Sequence, residues 1–126
     1  MKFVVAITGA SGSLYAQRLL AALDAAGHKV DIVTSSHAAE VAEAETDGLA
    51  IPARFQASVY GDRTMQVPFV SGSALSGPNG YAAMVIIPCS MGTAGRIAHG
   101  YSDSTITRAA DVFLKEKQKL VIVLSE

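Results

Sequence analysis

The sequence predicts an α/β protein: a three-layer, doubly wound parallel sheet of the Rossmann or flavodoxin-like kind. Three observations carry this. Short apolar runs rich in β-branched residues recur at Lys2–Thr8, Lys29–Thr34, Met84–Ile87 and Leu120–Leu124. Stretches with helical apolar spacing lie between them. The joins are small-residue turns, the first being Thr8-Gly9-Ala10-Ser11-Gly12.

Lys2–Thr8 is continuously apolar, which suits a strand buried on both faces. Ala16, Leu19, Leu20 and Leu23 then repeat at helical spacing, and Gly27 ends that helix. Lys29–Thr34 reads as the second strand. Ser35 or Ser36 is placed to cap a helix through Ala38–Glu45. The segment 47–80 differs. It holds Pro52, Pro68 and Pro78 among many Gly and Ser residues, and Arg54–Tyr60 is expected to form a short strand within it. Met84–Ile87 follows as a buried strand ended by Pro88, then a short helix over Met91–Ala98. Asp103 or Ser104 caps a further helix that turns Ile106, Ala109, Ala110 and Phe113 inward. Leu120–Leu124 is the final apolar strand. An apolar edge strand with no helix after it is unusual, so a continuation of the chain or a neighbouring subunit is expected to cover it.

The 126 residues fit one domain, half of them apolar and 17% charged. A net charge of −1 with mixed signs argues against nucleic acid and anionic membrane as partners. Cys89 is the single cysteine, so no internal disulfide is possible, and a reducing compartment is expected. No run approaches the ~18 apolar residues of a membrane span. These points place the protein in the cytoplasm.

The first turn joins a buried strand to a helix, the context in which backbone N–H groups cradle a phosphate. It is not the turn of a nicotinamide enzyme. Tyr15 stands where the next glycine is needed, no acidic residue closes Lys29–Thr34, and no tyrosine has a lysine four positions later. Pro88-Cys89-Ser90-Met91-Gly92-Thr93 makes a second polar turn on the same sheet edge. Arg108 lies early in its helix. Cys89 reads as a core thiol and His28 as a surface residue. His37 and His99 lack metal-ligand spacing, and no metal is expected.

Five segments occur in order: Thr8-Gly9-Ala10-Ser11-Gly12, Ser36-His37-Ala38-Ala39, Glu45-Thr46-Asp47, Pro88-Cys89-Ser90-Met91-Gly92-Thr93 and Arg108-Ala109-Ala110-Asp111-Val112 with Leu114-Lys115-Glu116. Together they resemble the UbiX-type flavin prenyltransferases, within the flavin-containing cysteine decarboxylase superfamily. The resemblance implies transfer of a dimethylallyl group from dimethylallyl phosphate to N5 and C6 of reduced FMN, without metal. The product, prenylated FMN, would pass to a UbiD-type decarboxylase. It also implies a large homo-oligomer, a dodecamer, with sites at subunit interfaces.

Carried over by position, Gly9, Ala10, Ser11, Ser36, Ser90, Met91, Gly92, Thr93 and Arg108 would hold FMN. Ser11 and Glu45 would be catalytic, Ser11 facing the leaving phosphate and Glu45 moving a proton. Lys115 and Glu126 would serve the substrate phosphate. In one respect the chain departs from the pattern: Ser125-Glu126 stands where the family has Arg-Glu. The family's C-terminal part, with a substrate-binding tyrosine and a further arginine, is not matched. Two other readings keep the fold: an FMN-dependent decarboxylase of a cysteine-containing peptide, and a non-catalytic FMN-binding subunit.

Overall fold

A computed structural model describes residues 1–46 and 48–125, with only the backbone of Glu45 and Thr46. Five strands form one sheet: β1 (Lys2–Ile7), β2 (Lys29–Thr34), β3 (Val59–Gly61), β4 (Ala83–Cys89) and β5 (Lys119–Leu124). Their order is β3-β2-β1-β4-β5, and every pairing is parallel. The order reverses at β1, so the crevice between the ends of β1 and β4 is the topological switch point.

Helices α1 (Ser13–Ala25), α2 (Ala38–Thr46), α3 (Gly72–Leu75), α4 (Met91–Ala98) and α5 (Thr105–Lys115) complete the fold. Alternate residues of β1 feed two cores. Val5 and Ile7 pack with Ala16 and Leu20 of α1 and with Ala38 of α2. Val4 and Ala6 pack with Ile106, Ala109, Ala110 and Phe113 of α5. The strand period of two thus divides one sequence run between two layers, which is why it shows no polar alternation.

Two expected elements form differently. Arg54–Tyr60 is mostly not strand. Ala53–Ser58 is a 3₁₀ turn, and only Val59–Gly61 pairs with β2. Phe55 closes the turn with its N–H on the Pro52 carbonyl at 2.9 Å and buries its ring in the α1 core. Arg54 reaches Asp24 Oδ1 at 2.8 Å and the His28 carbonyl at 2.8 Å. β4, for its part, does not stop before Pro88. It runs on to Cys89, which pairs with Leu124 after a register shift from Ile86. Proline is tolerated at such an irregularity because no ladder N–H is required there.

His28 is a partly exposed surface residue, as expected, with two neighbours. Its ring meets Phe3 edge-on at 5.3 Å, and Nδ1 lies 3.2 Å from the terminal amine. At mid-sheet Asp31 is buried beneath Tyr81, whose hydroxyl donates to Oδ2 at 2.5 Å, with Lys2 Nζ at 3.9 Å. Among the described residues no helix is long and apolar enough to cross a membrane.

Candidate functional site

The carboxyl ends of β1, β2, β3 and β4 open into one cleft of about 740 Å³. That is the size range of sites for cofactor-sized ligands, roughly 300–1,000 Å³. Its wall is built of hydroxyls: Thr8, Thr34, Ser35, Ser36, Ser90, Thr93, Ser104 and Thr107 all line it.

At the switch point Thr8 ties β1 to β4. Its hydroxyl donates to the Pro88 carbonyl at 2.8 Å and accepts the Ser90 N–H at 2.9 Å, while its own N–H meets the same carbonyl at 3.2 Å. Proline cannot donate, but its carbonyl serves both groups of Thr8. Ser90 is then the N-cap of α4: its Oγ accepts the Thr93 N–H at 3.2 Å and lies 2.8 Å from Thr93 Oγ1. This satisfies one of the helix's open donors.

Gly9 is glycine for packing. A Cβ there would sit 2.7 Å from the Cβ of His37, so only glycine lets the start of α2 close onto the first turn. Gly12, at φ +118°, is the left-handed residue that turns the chain into α1. At the start of α2, Ser35 gives its carbonyl, not its hydroxyl, to the Ala38 N–H at 3.2 Å.

The far wall is the start of α5, where Ser104 and Thr107 form a capping box. Asp62, just past β3, holds this wall: its Oδ1 accepts the Ile106 N–H at 2.8 Å and its carbonyl accepts the Thr105 N–H at 3.0 Å. Thr105 Oγ1 donates to the Thr64 carbonyl at 2.5 Å. Burial pushes the Asp62 carboxyl above its ordinary range, against the pull of the Ile106 N–H. Two guanidiniums line the cleft as well. Arg96 lies 3.6 Å from Asp103, and Arg63 follows Asp62.

Of the residues expected at the site, Gly9, Ser36, Ser90 and Thr93 line this cleft. Ala10 is buried in the first turn, and Ser11 is exposed beside it. Met91 and Gly92 form the exposed first turn of α4. Arg108 is exposed one turn into α5 and is not part of the cleft lining. Lys115 closes the other end of α5, roughly 15 Å along the axis from Thr105 at 1.5 Å per residue. The Glu45 side chain, Asp47 and Glu126 lie outside the described residues. Cys89 is fully buried, and burial pushes its thiol up to about 11. Sequence reasoning missed Asp62, Arg63, Arg96 and the Ser104–Thr107 pair as cleft residues. Recognising Val59–Gly61 as a strand would have exposed the first two, because residues just past a parallel strand face the site.

A parallel sheet with a hydroxyl-lined cleft beyond its carboxyl edge defines an α/β protein of the flavodoxin-like class, built for a phosphate-bearing ligand. The flavoprotein family's profile matches residues 1–125. The flavin prenyltransferase UbiX of Archaeoglobus fulgidus is 42% identical over 127 positions, covering all of this chain and 67% of that protein. Its counterpart in Escherichia coli K12 is 36% identical, covering 99% of this chain and 65% of that one. Among solved structures, a dodecameric FMN-dependent UbiX-like decarboxylase from Escherichia coli O157:H7 superposes with a TM-score of 0.88 at 36% identity, over 100% of this chain and 66% of the other. AnUbiX (PadA1), solved with FMN and dimethylallyl pyrophosphate, gives 0.84 at 34%, over 98% and 63%. The chain belongs to the flavoprotein family and, within it, to the UbiX-type flavin prenyltransferases. It spans about two thirds of the length of these relatives, 67% and 65% of the two enzymes. The cypemycin decarboxylase CypD, at 17% identity and a TM-score of 0.64, shares the fold alone.

Proposed function

We propose that this chain works in a flavin prenyltransferase that joins a dimethylallyl group from dimethylallyl phosphate to N5 and C6 of reduced FMN, and that the prenylated FMN passes to a UbiD-type decarboxylase. The observation that carries the reading is the match of the whole chain to UbiX enzymes, 42% and 36% identical in two cases, with the hydroxyl-lined cleft at the sheet edge where that fold takes ligands. The peptidyl-cysteine decarboxylase reading has only fold-level likeness behind it: the FMN-dependent cysteine decarboxylase SpaF is 12% identical, with a TM-score of 0.56.

The cleft fits FMN in size and chemistry. Gly9, Ala10, Ser11, Ser36, Ser90, Met91, Gly92, Thr93 and Arg108 are assigned to holding it. When bound in reduced form, FMN supplies the two nucleophilic positions. Ser90 and Thr93 keep their hydroxyls fixed by the cap of α4, so polar groups are set before the ligand arrives. Leaving of the donor phosphate builds negative charge, and hydroxyl and cationic donors placed there lower the barrier. Ser11, in the turn before α1, is assigned to that phosphate, and Glu45 to moving the proton.

Lys115 and Glu126 are assigned to the donor phosphate too. Lys115 is far along α5 from the cleft of its own chain, which is understandable if copies assemble and share sites. Homo-oligomerisation, as a dodecamer, is therefore part of the proposal, and the exposed apolar strip Val121–Leu124 offers surface for assembly. A reducing cytoplasm suits the single buried thiol.

The test is anaerobic incubation of the purified chain with reduced FMN and dimethylallyl phosphate. A changed flavin absorption spectrum, with a mass gain of one dimethylallyl unit, is expected. A flavin recovered at unchanged mass overturns the reading.

A further inference from the structure

Residues 62–64, just past β3, grip the first turn of α5 at three points. The Asp62 carbonyl accepts the Thr105 N–H at 3.0 Å, Asp62 Oδ1 accepts the Ile106 N–H at 2.8 Å, and the Thr64 carbonyl accepts the Thr105 hydroxyl at 2.5 Å. The Ser104 side chain is a further hydrogen-bond partner of the Asp62 carboxylate. The Thr107 N–H goes to Ser104 Oγ at 3.2 Å. The first three N–H groups of α5 are therefore all taken, and a carboxylate already sits at the positive end of the helix. A ligand in the cleft meets side chains and shape at this wall, not open N–H groups.

That shape depends on the grip. Asp103, Ser104, Ile106 and Thr107 line the cleft together with Asp62. Just before them, the hydrogen bonds and ion pair of 99–103, among the described residues, run only to α4 and α5. The His99, Gly100 and Tyr101 N–H groups turn back to carbonyls of α4, and Asp103 meets Arg96 at 3.6 Å and the Thr107 hydroxyl at 3.3 Å. Arg96 and Asp103 are both exposed, so their pair holds little. The gripping end is itself fixed, because Val59–Gly61 pair with Ile32–Thr34 in the sheet. The polar tie from this fixed edge to the start of α5 is Asp62 and its neighbour Thr64.

We propose that Asp62 is a positioning residue for flavin binding: it fixes the start of α5 and so sets the width of the cleft, acting through Thr105 and Ile106 rather than by contact with the ligand. The proposal rests on the flavin reading given above and adds to it a residue of the β3 edge.

FMN affinity, followed by fluorescence quenching, and deuterium uptake over residues 99–107 of the flavin-free chain test it together. Asp62→Ala removes the side-chain acceptor and is expected to weaken FMN binding about tenfold, the scale of one hydrogen bond to a charged group. It should also raise deuterium uptake in 99–107 and leave α1 unchanged. Asp62→Asn keeps an acceptor for the Ile106 N–H, so both readouts should return close to the parent. Phe55→Leu, in the α1 core away from this wall, should lower the urea midpoint yet leave FMN affinity close to the parent. Tighter FMN binding by both Asp62 variants would mean that the residue acts on the ligand by its charge, and overturns the proposal. Equal losses in Asn and Ala, or no loss in Ala, overturn it too, as does a loss in Phe55→Leu as large as that in Asp62→Ala; each leaves the flavin cleft standing. Failure of the unmodified chain to bind FMN overturns both readings.

Discussion

β1 and β5 are almost interchangeable as sequences, Lys-Phe-Val-Val-Ala-Ile against Lys-Leu-Val-Ile-Val-Leu. Their surroundings are opposite. β1 is central in the sheet, and Val4, Val5, Ala6 and Ile7 are buried between two helical layers. β5 is an edge strand, and Val121, Ile122, Val123 and Leu124 are all exposed, Leu124 by 56%. An apolar, β-branched run therefore specifies a strand, while the position in the sheet order decides whether that strand is core. The ends of the two strands differ in the same way. Thr8 after β1 is a buried cross-link to Pro88 and Ser90, whereas Ser125 after β5 makes one backbone bond to Cys89, at 2.9 Å.

Truncation tests this contrast most strongly. Ile7→Ala removes a fully buried side chain and should cost about 2–5 kcal/mol. Leu124→Ala should cost about 1 kcal/mol, because more than half of that residue already meets water. Urea unfolding of both variants measures the difference. Equal costs would mean that β5 is covered in solution by something other than this chain's own helices.

Next in size is the pair of hydroxyls. Thr8→Val keeps the shape but leaves the Ser90 N–H and part of the Pro88 carbonyl without their partner, at a cost of about 1–3 kcal/mol. Ser125→Ala should stay within about 0.5 kcal/mol. If Thr8→Val is as mild as Ser125→Ala, the tie between β1 and β4 does not hold the cleft open.

Much of this architecture was legible in the sequence because it depends on local pattern. The periodicity of β1, α1, β2 and α5 stands out, and the inward face Ile106, Ala109, Ala110 and Phe113 is the face observed. The first turn and the Pro88–Thr93 turn reach the same sheet edge, where Gly9, Ser90 and Thr93 share the cleft. What escaped depends on contacts distant in sequence. Phe55 folds Ala53–Ser58 into a 3₁₀ turn because a pocket in the α1 core receives it, which no local pattern shows. Asp62 matters through Ile106, 44 residues away. Pro88 reads as a strand terminator unless the Thr8 hydroxyl that uses its carbonyl is known to be there.

A smaller effect probes the junction between the inner and outer parts of the sheet. Cys89 lies where β4 meets Leu124 of β5, and burial holds its thiol up at about 11. Only about a thousandth of it would be thiolate near pH 8, and thiolate is the reactive form. The folded chain should resist iodoacetamide and the denatured chain should react readily, as mass spectrometry would show. Fast alkylation of the folded chain would reveal that the end of β5 opens.

The smallest expected effect concerns β3, the opposite edge, which is short and tied inward where β5 is long and bare. Burial raises the Asp62 carboxyl in the folded state, so the folded chain holds that proton more tightly than the unfolded chain does. Its contribution to stability is then greatest at acid pH, below the unfolded carboxylate's range. It declines as pH rises from that range through the raised folded value. Asp62→Asn retains an acceptor for the Ile106 N–H but removes the ionisation, so stability across this acid window should lose that downward component. Urea midpoints of parent and variant, compared from acid to neutral pH, give the measurement. Parallel curves would show that Asp62 ionises in the folded chain as it does in the unfolded one, and that the β3 edge is as open to water as β5.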